Sequence, residues 1–104
     1  MRGNPWYPAA LALATDGRPV RNGEELMAVA RAIVLLAVDA EPRAPAALPW
    51  AWPATRALIR AAAHDLAREG LVEGGDRAPP GRLELTPSGR RHLAAMKGAV
   101  RRSA

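Results

Sequence analysis

With 104 residues and no cysteine, the sequence has room for one domain and no means of building a disulfide framework or a cysteine zinc site. Apolar residues make up 49%, but 24 residues are alanine and none is phenylalanine, so the expected core is thin, suited to helices packed closely through Ala and to support from a second subunit. The net charge of +5 resides wholly in residues 53–104, which carry ten basic and five acidic side chains, while residues 1–52 balance at five of each. Such a basic half is the footprint of a polyanion binder, or of an Arg-rich solvated surface.

Residues 1–21 read as an N-terminal arm. Asn4-Pro5, Pro8 and Asp16-Gly17 punctuate it, and Ala9 to Thr15 suits either a turn or two of helix or a short strand. No apolar leader with a cleavage site follows Arg2, because Asp16-Gly17-Arg18 interrupts it, and the apolar run Ala32 to Val38 is too short to span a bilayer. The expectation is a cytoplasmic protein.

A domain over residues 22–104 opens with a helix from Asn22 to about Ala40. Asn22 stands at the N-cap with Glu25 three residues on, the capping-box arrangement. Leu26, Ala30, Ile33, Val34 and Ala37 recur at helical spacing, and Met27, Val29, Leu36 and Val38 widen the stripe until little polar surface is left beyond Arg31. Pro42, Pro45, Pro49 and Pro53 then restrict any helix to a short piece over 45–50. Trp50 and Trp52 in this stretch either fill the core of a domain without Phe or form a ligand-facing or partner-facing patch.

A second long helix is predicted over 55–69, stopped by Gly70. Leu58, Ile59, Ala62, Ala63 and Leu66 form its inner face, and Arg56, Arg60, His64 and Arg68 form a row at i+4 spacing. Leu71-Val72-Glu73 and Arg82-Leu83-Glu84-Leu85 read as two strands around the turn-rich loop 74–81. Thr86-Pro87 supplies a cap and a first-turn proline for a last helix over about 88–100, with Leu93, Met96 and Val100 as its apolar seam.

This order of elements resembles the winged helix-turn-helix of MarR- and PadR-like regulators. The resemblance rests on Thr55 to Glu73, where Leu66, Gly70 and Leu71 stand at the L-x-x-x-G-L-V positions, and on Arg82-Leu-Glu-Leu-Thr-Pro-Ser-Gly-Arg-Arg-His-Leu93. Asp76-Arg77 is similar to the acidic-basic pair of MarR wings. The chain departs from the family in its proline-rich segment, where those proteins have a regular second helix, and in lacking their long N-terminal dimerisation helix. The resemblance implies a mainly α fold with a small β-hairpin wing over about 71–85, and sequence-specific binding of double-stranded DNA as a homodimeric bacterial transcription regulator associated with the nucleoid.

Under that resemblance the 55–69 helix enters the major groove, with Thr55, Arg56, Ala57, Arg60, Ala61 and His64 facing the duplex and Arg77 and Arg82 on the wing. Arg suits bidentate contact with guanine, and small Ala57 and Ala61 let a helix sit deep. Thr55 has a second reading as a helix cap, Arg56 and Arg60 as solvated surface, and His64 as a spectator. Leu93, Met96 and Val100 are the expected dimerisation residues, and the C-terminal Arg101-Arg102 group either adds non-specific attraction or forms a basic tail. The competing function is a winged helix turned to protein or peptide contacts through the Trp50/Trp52 patch or the hairpin edge. Single-stranded nucleic acid is disfavoured, since no aromatic platform follows Trp52. No nucleophile with a candidate base, phosphate-cradling loop or acidic cluster suggests catalysis, and His64 and His92 lie too far apart in sequence to suggest a shared metal; no cofactor is expected.

Overall fold

The structure, a computed structural model, describes residues 6–40, 53–73 and 83–103, the side chains of 53–56 and 101–103 excepted. The short helix expected over 45–50, Trp50, Trp52, and the hairpin loop with Arg77 and Arg82 lie outside these residues. The described elements are α1 (Tyr7–Thr15), α2 (Gly23–Ala40), α3 (Pro53–Arg68), β1 (Val72–Glu73), β2 (Glu84–Leu85) and α4 (Pro87–Ser103). The chain is therefore mainly helical, with one small antiparallel two-stranded hairpin.

Of the two conformations open to residues 9–15, the chain adopts the helix. Pro8 sits in the first turn of α1, where a missing N–H costs nothing. The helix carries no charged side chain and packs mainly on α2, with a lesser contact to α4. Its end is fixed by buried Thr15, whose hydroxyl donates to the Arg18 carbonyl at 2.7 Å with the Leu11 carbonyl 3.0 Å away. Asp16 and Gly17 then both take positive φ, 55° and 84°, reversing the chain toward α2.

The cap expected at Asn22 forms: its Oδ1 accepts the Glu25 N–H at 2.8 Å. The other half of the capping box is displaced by one residue, because the Glu25 carboxylate accepts the backbone N–H of Arg21 at 2.8 Å rather than that of Asn22. From Val29 to Val38 nearly every side chain of α2 is buried, as expected of a central helix. Leu26 is the exception to its expected stripe. It stands 43% exposed, one turn before the level at which the helix enters the core.

α1, α3, the hairpin and α4 all pack around α2 or the core it builds. Leu35, Leu66 and Leu83 are its largest fully buried side chains, each contributing about 1.5–3 kcal/mol by leaving water. Ala10, Ala32, Ala37 and Ala62 are wholly inaccessible, which is how a chain without Phe closes its interior: small residues bring the helix backbones together. In the hairpin Val72 pairs with Leu85, both buried, and Glu73 pairs with Glu84, both exposed.

Among the described residues, no helix is long and apolar enough to cross a membrane, and no three His, Asp or Glu side chains gather as metal ligands would.

Candidate nucleic-acid interface

α3 begins at Pro53, two residues earlier than expected, since proline is tolerated in the first turn of a helix. Thr55 is therefore the third residue of α3 and not its cap, which removes the capping role expected of it. The helix ends in a Schellman arrangement. Gly70, at φ +75°, donates to the Ala67 carbonyl at 3.1 Å, and Leu71 donates to the Leu66 carbonyl at 2.9 Å. Leu66 and Leu71 are both buried, supplying the apolar contact that accompanies this motif.

Two faces of α3 are clearly separated. Ile59, Ala62, Ala63 and Leu66 are buried, with Leu58 half-buried. Ala57, Arg60, Ala61, His64 and Arg68 are exposed, and their spacing of three and four residues puts them on one side of the helix. Four expected contact residues thus share an outward face: Ala57, Arg60, Ala61 and His64. The side chains of Thr55 and Arg56, and Arg77 and Arg82 altogether, lie outside the described residues.

Electrostatic pairing divides the described arginines along the sequence. Arg18 and Arg21 both approach Glu25, at 3.6 and 3.3 Å. The Arg21 backbone N–H, then its guanidinium, hold the Glu25 carboxyl below the usual carboxylate range. Arg31 makes a bidentate pair with Glu69, two bonds of 2.6 Å each. In the second half Arg68 pairs with Asp65, and Lys97 lies 3.6 Å from Asp39. Arg60, Arg90 and Arg91 pair with no described carboxylate; the Arg91 guanidinium donates to Ser88 Oγ, at 3.1 Å. Exposed cations not neutralised by their own chain are what an anionic partner can engage. Among the described residues, Arg60 is the cation of this kind on the outward face of α3, with Arg68 at the far end tied to Asp65.

Three contacts hold the C-terminal end of α3. Thr86 Oγ1 donates to the Gly70 carbonyl at 2.6 Å while accepting the Gly89 N–H at 2.9 Å, so one hydroxyl caps α4 and fastens it to the end of α3. The Thr86 N–H donates to the Leu71 carbonyl at 3.1 Å. Gly89 rides directly on that carbonyl, where a Cβ would collide with the oxygen. The third contact is the Arg31–Glu69 pair, which joins the middle of α2 to the residue following α3. Hydrogen bonding from the Arg31 guanidinium lowers the pKa of Glu69, and the same bond raises that of Arg31.

The apolar seam of α4 is split by the fold. Leu93 is buried in the chain's own core, at 3% exposure, so it is spent inside the subunit and is not available to a second copy. Met96 packs half-buried against that core and Val100 is half-buried. α4 continues to Ser103, so Arg101 and Arg102 belong to the helix and do not form the alternative tail. The Arg31–Glu69 pair was missed by sequence reasoning: its partners are 38 residues apart, and no local spacing signals it. No protein-family model, curated protein or solved structure matches the chain.

Proposed function

We propose that this chain is a winged-helix, DNA-binding transcription regulator, with α3 in the major groove of double-stranded DNA and the 74–82 loop as a wing against the neighbouring groove or backbone. The observation that carries the reading is the outward face of α3. Arg60 stands there between the small residues Ala57 and Ala61 and beside His64, without a described carboxylate partner. Small residues flanking an unpaired arginine allow a helix to approach base edges closely, and a guanidinium matches O6 and N7 of guanine. The order α2, α3, hairpin, α4 is compatible with such a domain, whose further helix would fall in the proline-rich segment outside the described residues, and the whole excess of positive charge lies from residue 53 onward. Arg90 and Arg91 add attraction to phosphate that is independent of sequence.

The regulator acts as a homodimer, each subunit reading one half of a palindromic site. With Leu93 inside the subunit, the contact between copies uses Met96 and Val100 together with the uncharged helix α1, whose Tyr7 is 43% exposed. In this reading the protein works in the bacterial cytoplasm, on the nucleoid.

The test is a salt titration of binding to random-sequence duplex DNA, comparing wild type with Arg56→Ala/Arg60→Ala. Binding that strengthens steeply as salt falls, and that weakens by about ten-fold or more in the double variant, is the expected result. Binding absent at low salt, or indifferent to both arginines, overturns the reading and turns attention to protein partners at Trp50 and Trp52.

A further inference from the structure

The DNA reading requires α3 to be held at a fixed angle, and its end contacts locate where that angle is set. Glu69 directly follows α3 and engages Arg31 of α2 through two parallel bonds of 2.6 Å. A forked guanidinium–carboxylate pair fixes orientation as well as distance, because both bonds must stay in one plane. Neither residue belongs to the outward row of Ala57, Arg60, Ala61 and His64. Arg31 is on another helix, and Glu69 carries the sign of charge that DNA repels.

Resting on the proposed function, we infer that Arg31 and Glu69 are positioning residues for DNA recognition, a clamp that sets the tilt of α3 against α2. The lever is long. Ala57 lies twelve residues from Glu69, about 18 Å along the helix at 1.5 Å per residue. A rotation of roughly 10° about the clamped end displaces Ala57 by about 3 Å, more than a hydrogen bond to a base tolerates. The Thr86 bond to Gly70 holds the chain immediately beyond this point, so the clamp and the bond together oppose rotation where the lever is anchored.

The sign of one substitution separates positioning from simple charge. Glu69→Gln removes a negative charge near the DNA-facing side of α3, which by charge alone tightens binding. As a clamp residue its loss weakens binding instead. The measurement uses the full chain, a random-sequence duplex pool and a duplex enriched from that pool by selection with wild type. The expected result is that Glu69→Gln weakens binding to the enriched duplex by about threefold or more, with the salt slope unchanged. Arg31→Lys, which keeps the charge but loses the fork, weakens it in the same direction. Arg31→Glu combined with Glu69→Arg restores affinity by re-forming the pair with its ends exchanged. Circular dichroism and thermal unfolding establish that each variant is folded.

Equal or tighter binding by Glu69→Gln overturns the clamp, as does failure of the exchanged pair to bind the enriched duplex more tightly than Glu69→Gln and Arg31→Lys. Absence of wild-type binding to any duplex overturns the DNA reading itself, and the clamp's role with it; that result is distinguished because it is read before any variant is compared.

Discussion

Replacing Gly89 by alanine is the substitution for which the structure and local propensity give opposite answers. Propensity alone says that alanine in a helix is better than glycine by about 1 kcal/mol. In the folded chain the new Cβ would collide with the Leu71 carbonyl oxygen, with the Leu71 carbonyl carbon 3.0 Å and Leu85 Cδ2 3.3 Å away. An ordinary carbon–oxygen approach is about 3.3 Å, so α4 must retreat by about 1 Å or more. That retreat stretches the bonds from Thr86 N–H to Leu71 and from Thr86 Oγ1 to Gly70, now 3.1 and 2.6 Å. Two weakened bonds at about 1 kcal/mol each, with about 1 kcal/mol of packing strain, outweigh the propensity gain. The net expectation is destabilisation by about 2 kcal/mol, a fall in Tm of roughly 8–16 °C for a domain of this size.

The assay is urea unfolding followed by circular dichroism, with thermal scans at several protein concentrations. Gly23→Ala is the matched control: its Cβ meets nothing within 4 Å, so it is expected to stabilise by about 0.5 kcal/mol. A Gly89→Ala variant as stable as wild type, or shifted in the same direction as Gly23→Ala, refutes the account of this joint.

Three further outcomes follow from the charges. Because Arg31 lowers the folded-state pKa of Glu69, this pair stabilises the fold above the ordinary carboxylate value and the contribution is lost as pH falls through the folded value. With Glu69 about half exposed and screened by solvent, wild type is expected to exceed Glu69→Gln by about 0.5 kcal/mol at neutral pH and to converge with it in acid, as read by urea unfolding across pH. Glu73 and Glu84 oppose each other across the hairpin, so Glu84→Lys is expected to stabilise by about 0.2–1 kcal/mol in the same assay, the gain shrinking in high salt. Asp65→Asn releases Arg68 on the outward face of α3; it is expected to tighten binding to random duplex at low salt and to steepen its salt dependence by about one counterion, and unchanged binding refutes this reading of the pair.

What could be read from the sequence was chemistry confined to a few neighbouring residues. Asn22 capping Glu25, Gly70 ending α3 and Thr86-Pro87 opening α4 are all local, and the structure places an element boundary at each. The two-faced pattern of α3 was legible for the same reason, since its period repeats over four turns. α1 was not legible, because Tyr7 to Thr15 has neither a charge nor a periodic stripe; its Ala and Leu residues favour a helix and it packs on α2, but no spacing marks a buried face. The early start at Pro53 is hidden in the sequence because a proline suits both the end of a broken segment and the first turn of a helix.

Residues remote in sequence account for the remaining differences. Nothing near Arg31 announces Glu69, and nothing near Leu93 reveals that it will be buried in the core. The Leu-Thr-Pro-Ser-Gly stretch, one basis for the resemblance to MarR- and PadR-like regulators, has a purely mechanical explanation in this structure: Thr86 and Gly89 are required by the seat of α4 on Leu71. Such a stretch reports how α4 is joined to the hairpin. The chemistry that would meet a ligand resides in other residues, Arg60 first among them.

The bond from Thr86 Oγ1 to Gly70 also closes a ring, since the two residues are 16 positions apart and the entire hairpin lies between them. The ring behaves as a collar, in which the paired strands fasten the two ends of the loop between them. Lengthening such a loop costs little, about 0.6 kcal/mol for each doubling, provided the collar stays fastened. A longer segment inserted between the two strands is therefore expected to leave the Thr86–Gly70 bond in place.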